Sequence, residues 1–164
     1  MQHVVVMGAS GSGKSTVGKL LARRLGATFV EGDLLHPKVN IAKMESGESL
    51  NDADRQPWLA AVGRTLANAG AESIVIACSA LKKLYRDLIR SHDPTAHFIL
   101  LEGSYELLVE RLGGRRDHFM PPALLQSQLN ILEPLEADEE GFTLNISRKP
   151  DELAKDAALL LAVP

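Results

Sequence analysis

Cysteine is nearly absent: Cys78 is the only one among 164 residues. That excludes an internal disulfide and any metal site built from several cysteines. Long apolar runs are missing too. The longest, Ala157–Val163, has 7 residues, far short of the ~20 that span a bilayer as a helix. No basic segment precedes the first apolar run, Val4–Met7, which stops at Gly8, so no secretory signal peptide is expected. An excess of positive charge is also lacking. The 21 acidic and 18 basic residues leave a formal charge of −3, a poor footprint for general nucleic-acid binding. No repeat, low-complexity tract or linker-like shift divides the chain. At about 150 residues per domain, one domain over residues 1–164 is expected. What is there, 45% apolar and 24% charged residues, is ordinary soluble composition and argues against disorder. A cytoplasmic globular protein without membrane or nucleic-acid partners is the expectation.

Hydrophobic patterning alternates between two kinds of element. Val4–Met7, Thr28–Glu31, Ser73–Cys78, His97–Leu101 and residues 142–146 are short apolar runs that suit buried strands. Between them, helical spacing recurs. Val17, Leu20, Leu21 and Leu25 mark a helix over 14–25 that Gly26 stops, and Trp58, Leu59, Val62 and Leu66 mark one over 53–69. Leu81, Leu84, Tyr85, Leu88 and Ile89 form a further amphipathic stripe. Helices are also expected near 105–112, 122–132 and 151–162, and a polar loop over Gly32–Pro37. The alternation predicts βαβ units, hence a three-layer α/β/α fold around a parallel sheet. In such sheets ligands bind beyond the carboxyl ends of the strands. Gly8–Ser15, Gly32–Pro37 and Cys78–Lys82 all follow a strand.

The first of these loops carries the strongest signal. Gly8-Ala9-Ser10-Gly11-Ser12-Gly13-Lys14-Ser15, followed by Thr16, matches the phosphate-loop pattern and passes directly into a helix. Glycines let successive backbone N–H groups curl around a polyphosphate, and the helix start adds its positive end. Lys14 reaches the β/γ-phosphates and the Ser15 hydroxyl ligates Mg²⁺ in such loops. A nucleotide such as ATP is therefore the expected ligand.

An acid near the transferred group is the next requirement. Many phosphate-loop nucleotidases end a later apolar strand in aspartate, but here that strand ends in Cys78-Ser79. The acids stand after the second strand instead, as Glu31 and Asp33. A carboxylate there either accepts a proton from an acceptor hydroxyl and orients magnesium-bound water, or caps the following turn. Arg111, Arg115 and Arg116 surround Gly113-Gly114 just before Pro121-Pro122. Glycines on one side and prolines on the other suit a hinged lid over about 113–121; a solvated basic helix end is the alternative. Cys78 fits a small core residue, and Trp58 fits the apolar stripe of its helix.

Several blocks resemble the gluconate kinase family: Gly32-Asp33-Leu34-Leu35-His36-Pro37, Asn40, Lys43-Met44, Gly47, Leu50, Asp52, Asp54-Arg55 and Pro57-Trp58-Leu59. Cys78-Ser79-Ala80-Leu81-Lys82 with Tyr85-Arg86-Asp87, Arg115 with His118-Phe119-Met120, Ser127-Gln128 and Leu132-Glu133-Pro134-Leu135-Glu136 extend the resemblance from Val4 to about Ser147. The family consists of small phosphate-loop kinases related in fold to shikimate kinase. The resemblance implies transfer of the γ-phosphoryl group of ATP to the 6-hydroxyl of D-gluconate, with Mg²⁺. It further implies catalytic roles for Lys14, Asp33 and Arg115, the last on the lid. Glu31 joins Ser15 on the magnesium side. Arg55 grips the substrate carboxylate, an arginine fork being matched to that group. Ser79, Ala80, Lys82, His36 and Gln128 lie beside the substrate in this reading. For His36 a bond to the local backbone stays open, and for Lys82 a solvated first-turn position. A homodimer is also implied. Two positions depart from the family pattern, Ser49 for a frequent proline and Asp117 for a frequent glycine before the lid histidine. Another small-metabolite kinase, such as a shikimate kinase, and a nucleotide-binding module without turnover are the competing readings. The Leu34-Leu35-His36-Pro37 continuation and the Cys-Ser-Ala ending before Lys82 count against shikimate kinase.

Overall fold

A computed structural model describes residues 1–113 and 122–164. Five parallel strands, β1 (His3–Met7), β2 (Thr28–Glu31), β3 (Ile74–Ala77), β4 (His97–Glu102) and β5 (Gly141–Asn145), form one sheet in the order β2-β3-β1-β4-β5. Helices α1 (Lys14–Leu25), α2 (Lys38–Glu45), α3 (Asp52–Asn68), α4 (Lys83–His92), α5 (Tyr105–Gly113) and α6 (Pro122–Ile131) lie between the strands in sequence, with a 3₁₀ turn over Gly32–Leu35, and α7 (Pro150–Leu161) follows β5.

Strand periodicity sends alternate side chains to opposite faces. Val4 and Val6 join Val17, Leu21, Leu108, Leu153 and Ala157 in a core under α1, α5 and α7. Val5 and Met7 join Trp58, Leu59, Val62, Tyr85 and Ile89 in a second core under α3 and α4. β1 is buried along its whole length between the two, which is why Val4–Met7 are continuously apolar rather than alternating. The three-layer α/β/α expectation holds.

One element, α2, had no counterpart in the hydrophobic pattern. Its sequence KVNIAKME has little apolar periodicity: Asn40 is its one buried residue, and Val39 and Ile41 are exposed. Its anchor is polar: buried Asn40 donates to the Asp54 carbonyl at 2.8 Å, and Lys43 pairs with Asp54 at 2.6 Å. Asp54 also closes a capping box with Asn51 at the start of α3. This small polar cluster ties α2 to the start of α3.

Candidate active site

The carboxyl ends of β1, β2 and β3 open into a cleft of about 1070 Å³. At its floor, the turn after β1 has φ of 149° at Gly8, 84° at Gly11 and 90° at Gly13. At Gly8 a side chain is excluded twice, by the dihedral and by space, since a Cβ would sit 2.7 Å from the Leu101 carbonyl oxygen. Gly13 caps α1 without any side-chain partner, so the first-turn N–H groups are left to an anion. The buried Ser12 hydroxyl has no hydrogen-bond partner among the described residues. Lys14 Nζ donates to the Ala9 carbonyl at 3.1 Å. From α6, the Gln128 side-chain oxygen accepts from the Ser10 N–H at 2.8 Å. Thr16 is exposed on the first turn of α1.

Beside this loop, Ser15 Oγ donates to Glu31 Oε2 at 2.6 Å. Two adjacent oxygen donors next to a phosphate cradle fit Mg²⁺, which takes few protein ligands and completes its shell with phosphate oxygens and water. Two residues on, Asp33 lines the cleft in an exposed position. Its carboxylate has no hydrogen bond or ion pair among the described residues, so it does not cap the turn it begins. Gly32 is locked to α3 instead, its carbonyl accepting from Trp58 Nε1 at 2.8 Å.

Further lining comes from α3 and from the loop after β3, where the Ser79 carbonyl accepts from the Gly8 N–H at 3.3 Å. His36 stacks on Trp58, with ring centroids 4.1 Å apart and 16° between planes. Asn40 Nδ2 lies 3.2 Å from His36 Nδ1. Because that same nitrogen donates to the Asp54 carbonyl, the amide orientation is set and Nδ1 is the acceptor. A neutral His36 then carries its proton on Nε2. Burial lowers the His36 pKa below 6.5, Asp33 partly opposes this, and Arg55 adds to it.

Arg55 donates to the Tyr85 hydroxyl at 3.1 Å, and that hydroxyl donates to Asp52 Oδ1 at 2.5 Å. Lys82 Nζ lies 3.2 Å from both Asp52 oxygens. These bonds, from Tyr85 first and then Lys82, hold Asp52 below the usual carboxylate range.

The cleft thus gathers Lys14, Asp33, His36, Arg55, Ser79, Lys82 and Gln128. Some sequence expectations need amendment. Ala80 does not line the cleft: it is fully buried with a φ of 42°, and its carbonyl accepts from Arg86. Lys82 precedes α4 rather than occupying its first turn. Acids and bases share the lining, since Glu48 and Asp52 join Asp33 opposite in charge to Lys14, Arg55 and Lys82. Arg115 and the lid, apart from Gly113 at the end of α5, lie outside the described residues. Trp58 and Cys78 are buried core residues, and burial pushes the Cys78 thiol up to about 12, which leaves it inert. Asp52 and Tyr85 received no role from sequence reasoning, although Asp52, Arg55 and Tyr85 all fall within the blocks that carry the resemblance. Arg111 Nη1 lies 3.9 Å from where a Cβ on Gly13 would stand, so α5 ends beside the phosphate loop.

A phosphate loop, an acid pair at the end of β2 and a set of polar and charged side chains lining the same cleft define a small-molecule kinase of the phosphate-loop type. A family model described as shikimate kinase matches residues 10–149. A probable gluconokinase of Rattus norvegicus is 44% identical over 98% of this chain and 96% of its own length. The thermosensitive gluconokinase of Escherichia coli K12 is 46% identical over 86% of this chain and 76% of its own. The crystal structure of a gluconokinase from Sinorhizobium meliloti 1021 superposes with a TM-score of 0.90 at 45% identity, covering 98% of this chain and 91% of that one. The chain belongs to the gluconokinase family.

Proposed function

We propose that the chain, acting as one kinase domain, transfers the γ-phosphoryl group of ATP to the 6-hydroxyl of D-gluconate. The observation that carries this reading is one cleft lined by Ser10 and Lys14 of the phosphate loop, by the separate pair Arg55 and Lys82, and by Asp33, whose carboxylate has no hydrogen bond or ion pair among the described residues. Gluconate offers a carboxylate at one end and a primary hydroxyl at the other, which suits that division.

The phosphate-loop N–H groups and Lys14 hold the polyphosphate, with Ser10 and Ser12 in the same turn. Ser15 and Glu31 are the residues that would hold Mg²⁺, which when bound would neutralise charge on the phosphate oxygens. Arg55, with Lys82, receives the gluconate carboxylate. His36 offers Nε2–H to a sugar hydroxyl, while Ser79 and Gln128 line the space between. Asp33 accepts the proton of the 6-hydroxyl as that oxygen bonds the γ-phosphorus. The bond to the β,γ-bridging oxygen breaks, and its electron pair leaves with ADP. Because the transition state is loose, alignment by Asp33 contributes more than its basicity.

ADP release measured with gluconate, other sugar acids, shikimate and nucleoside monophosphates tests the reading. Gluconate is expected to stimulate release most strongly. Release independent of gluconate, or none with any acceptor, overturns it.

A further inference from the structure

Tyr85 never reaches the cleft, yet three of the lining residues converge on it. It is 3% exposed on α4. Its hydroxyl makes two bonds, donating to Asp52 at 2.5 Å and accepting from Arg55 at 3.1 Å. Its ring carries both cations, the Arg55 guanidinium 5.5 Å and the Lys82 ammonium 5.6 Å from the centroid. Asp52 completes the arrangement by holding Lys82 at 3.2 Å and lying 4.0 Å from Arg55. Arg55 comes from α3 and Lys82 from the loop before α4, so nothing in the local chain relates their positions. A long lysine or arginine loses much side-chain entropy when a ligand fixes it. Here that ordering precedes binding.

We infer that Tyr85, together with Asp52, is a positioning residue that sets Arg55 and Lys82 as a paired receptor for the acceptor's carboxylate. Arg55 supplies a fork and Lys82 a point charge. The Asp52 carboxylate offsets one of the two positive charges, leaving a net single charge that matches a monocarboxylate. It also keeps two neighbouring cations from repelling each other when the acceptor is absent. The chemistry recognised is that of a monoanionic polyhydroxy acid, so the inference rests on the gluconate reading.

Tyr85→Phe removes the hydroxyl and keeps the ring, and so tests the arrangement with little change in packing. Steady-state ADP release should show a gluconate KM raised about tenfold, the loss expected for a hydrogen bond to a charged group, with the ATP KM within twofold of the original. Lys82→Ala should shift the gluconate KM in the same direction. Lys82→Arg, which retains a cation, should recover most of the loss. An unchanged gluconate KM in Tyr85→Phe and in Lys82→Ala overturns the inference. So does a parallel rise in both KM values with a fall in kcat, the pattern of general structural damage. Absence of gluconate-dependent ADP release in the unmutated protein would instead sink the gluconate reading itself, so the two failures are distinguishable.

Discussion

The Ser15 hydroxyl donates a 2.6 Å hydrogen bond to Glu31, joining the first turn of α1 to the last residue of β2. The bond spans the boundary between phosphate loop and acid loop, where a cation shared by ATP and the protein would lie. Ser15→Ala and Glu31→Gln should each raise the Mg²⁺ concentration for half-maximal ADP release about 10- to 100-fold, as for residues that ligate or orient a metal. A magnesium titration checks this. An unchanged half-maximal concentration in both variants would remove the pair from the metal site.

Asp33 is expected to act on turnover and not on nucleotide binding. Asp33→Asn should bind ATP normally in calorimetry and lose about 10²- to 10⁴-fold in kcat. Near-normal kcat would take Asp33 out of the reaction. Arg55→Ala should mainly raise the gluconate KM, and a selective rise in the ATP KM would contradict its place at the acceptor end.

His36 should report its own protonation through its stacking partner. Trp58 is the only tryptophan in the chain, and a protonated imidazole against the indole quenches its fluorescence. Burial lowers the His36 pKa below 6.5. The folded protein therefore binds this proton less readily than the unfolded chain, and stability falls as pH drops from about 6.5 through the folded value. A fluorescence titration should show quenching with a midpoint below 6.5, absent in His36→Gln. A midpoint above 6.5 would contradict the stack's role.

Arg86 and Glu139 form a buried pair, bonded at 2.6 and 2.9 Å, with side chains 0% and 1% exposed. Arg86 also donates to the carbonyls of Ala80, Leu81 and Pro134, and Arg90 adds a third bond to Glu139. Burial opposes ionisation of Glu139, but bonds from Arg86, from the Glu136 backbone and from Arg90 outweigh it and hold the carboxyl at about 2. That contribution is present above its ordinary 4.5 and is lost as pH falls from there towards about 2. Glu139→Ala leaves Arg86 buried and unpaired and should cost about 3–5 kcal/mol. Urea unfolding at neutral pH measures it, and a loss below about 1 kcal/mol would show that Arg86 finds other partners.

Phosphate loop, sheet class and acid loop were readable because each is a local pattern. Gly8–Ser15 combines spacing with strand and helix flanks, and Val4–Met7 of β1 is a continuous apolar run because both of its faces are covered. What escaped depends on partners distant in sequence. α2 is held by Asn40 and Lys43 through Asp54, so no apolar stripe announces it. Buried Arg86 looks like any polar helix residue until Glu139, 53 positions away, is placed against it. The resemblance placed Ala80 beside the substrate, yet it turns inward at φ 42° and leaves Ser79 at the cleft. The balance of charge in the site was likewise hidden, because Asp52 meets Lys82 only through the packing of α3 against α4.

Phosphorus-31 and proton NMR of the reaction with ATP, Mg²⁺ and gluconate tests the central claim most directly. One new phosphomonoester resonance coupled to the two protons on C6 is expected, appearing in step with ADP. Inorganic phosphate alone, or an ester at another carbon, would contradict transfer to the 6-hydroxyl of gluconate.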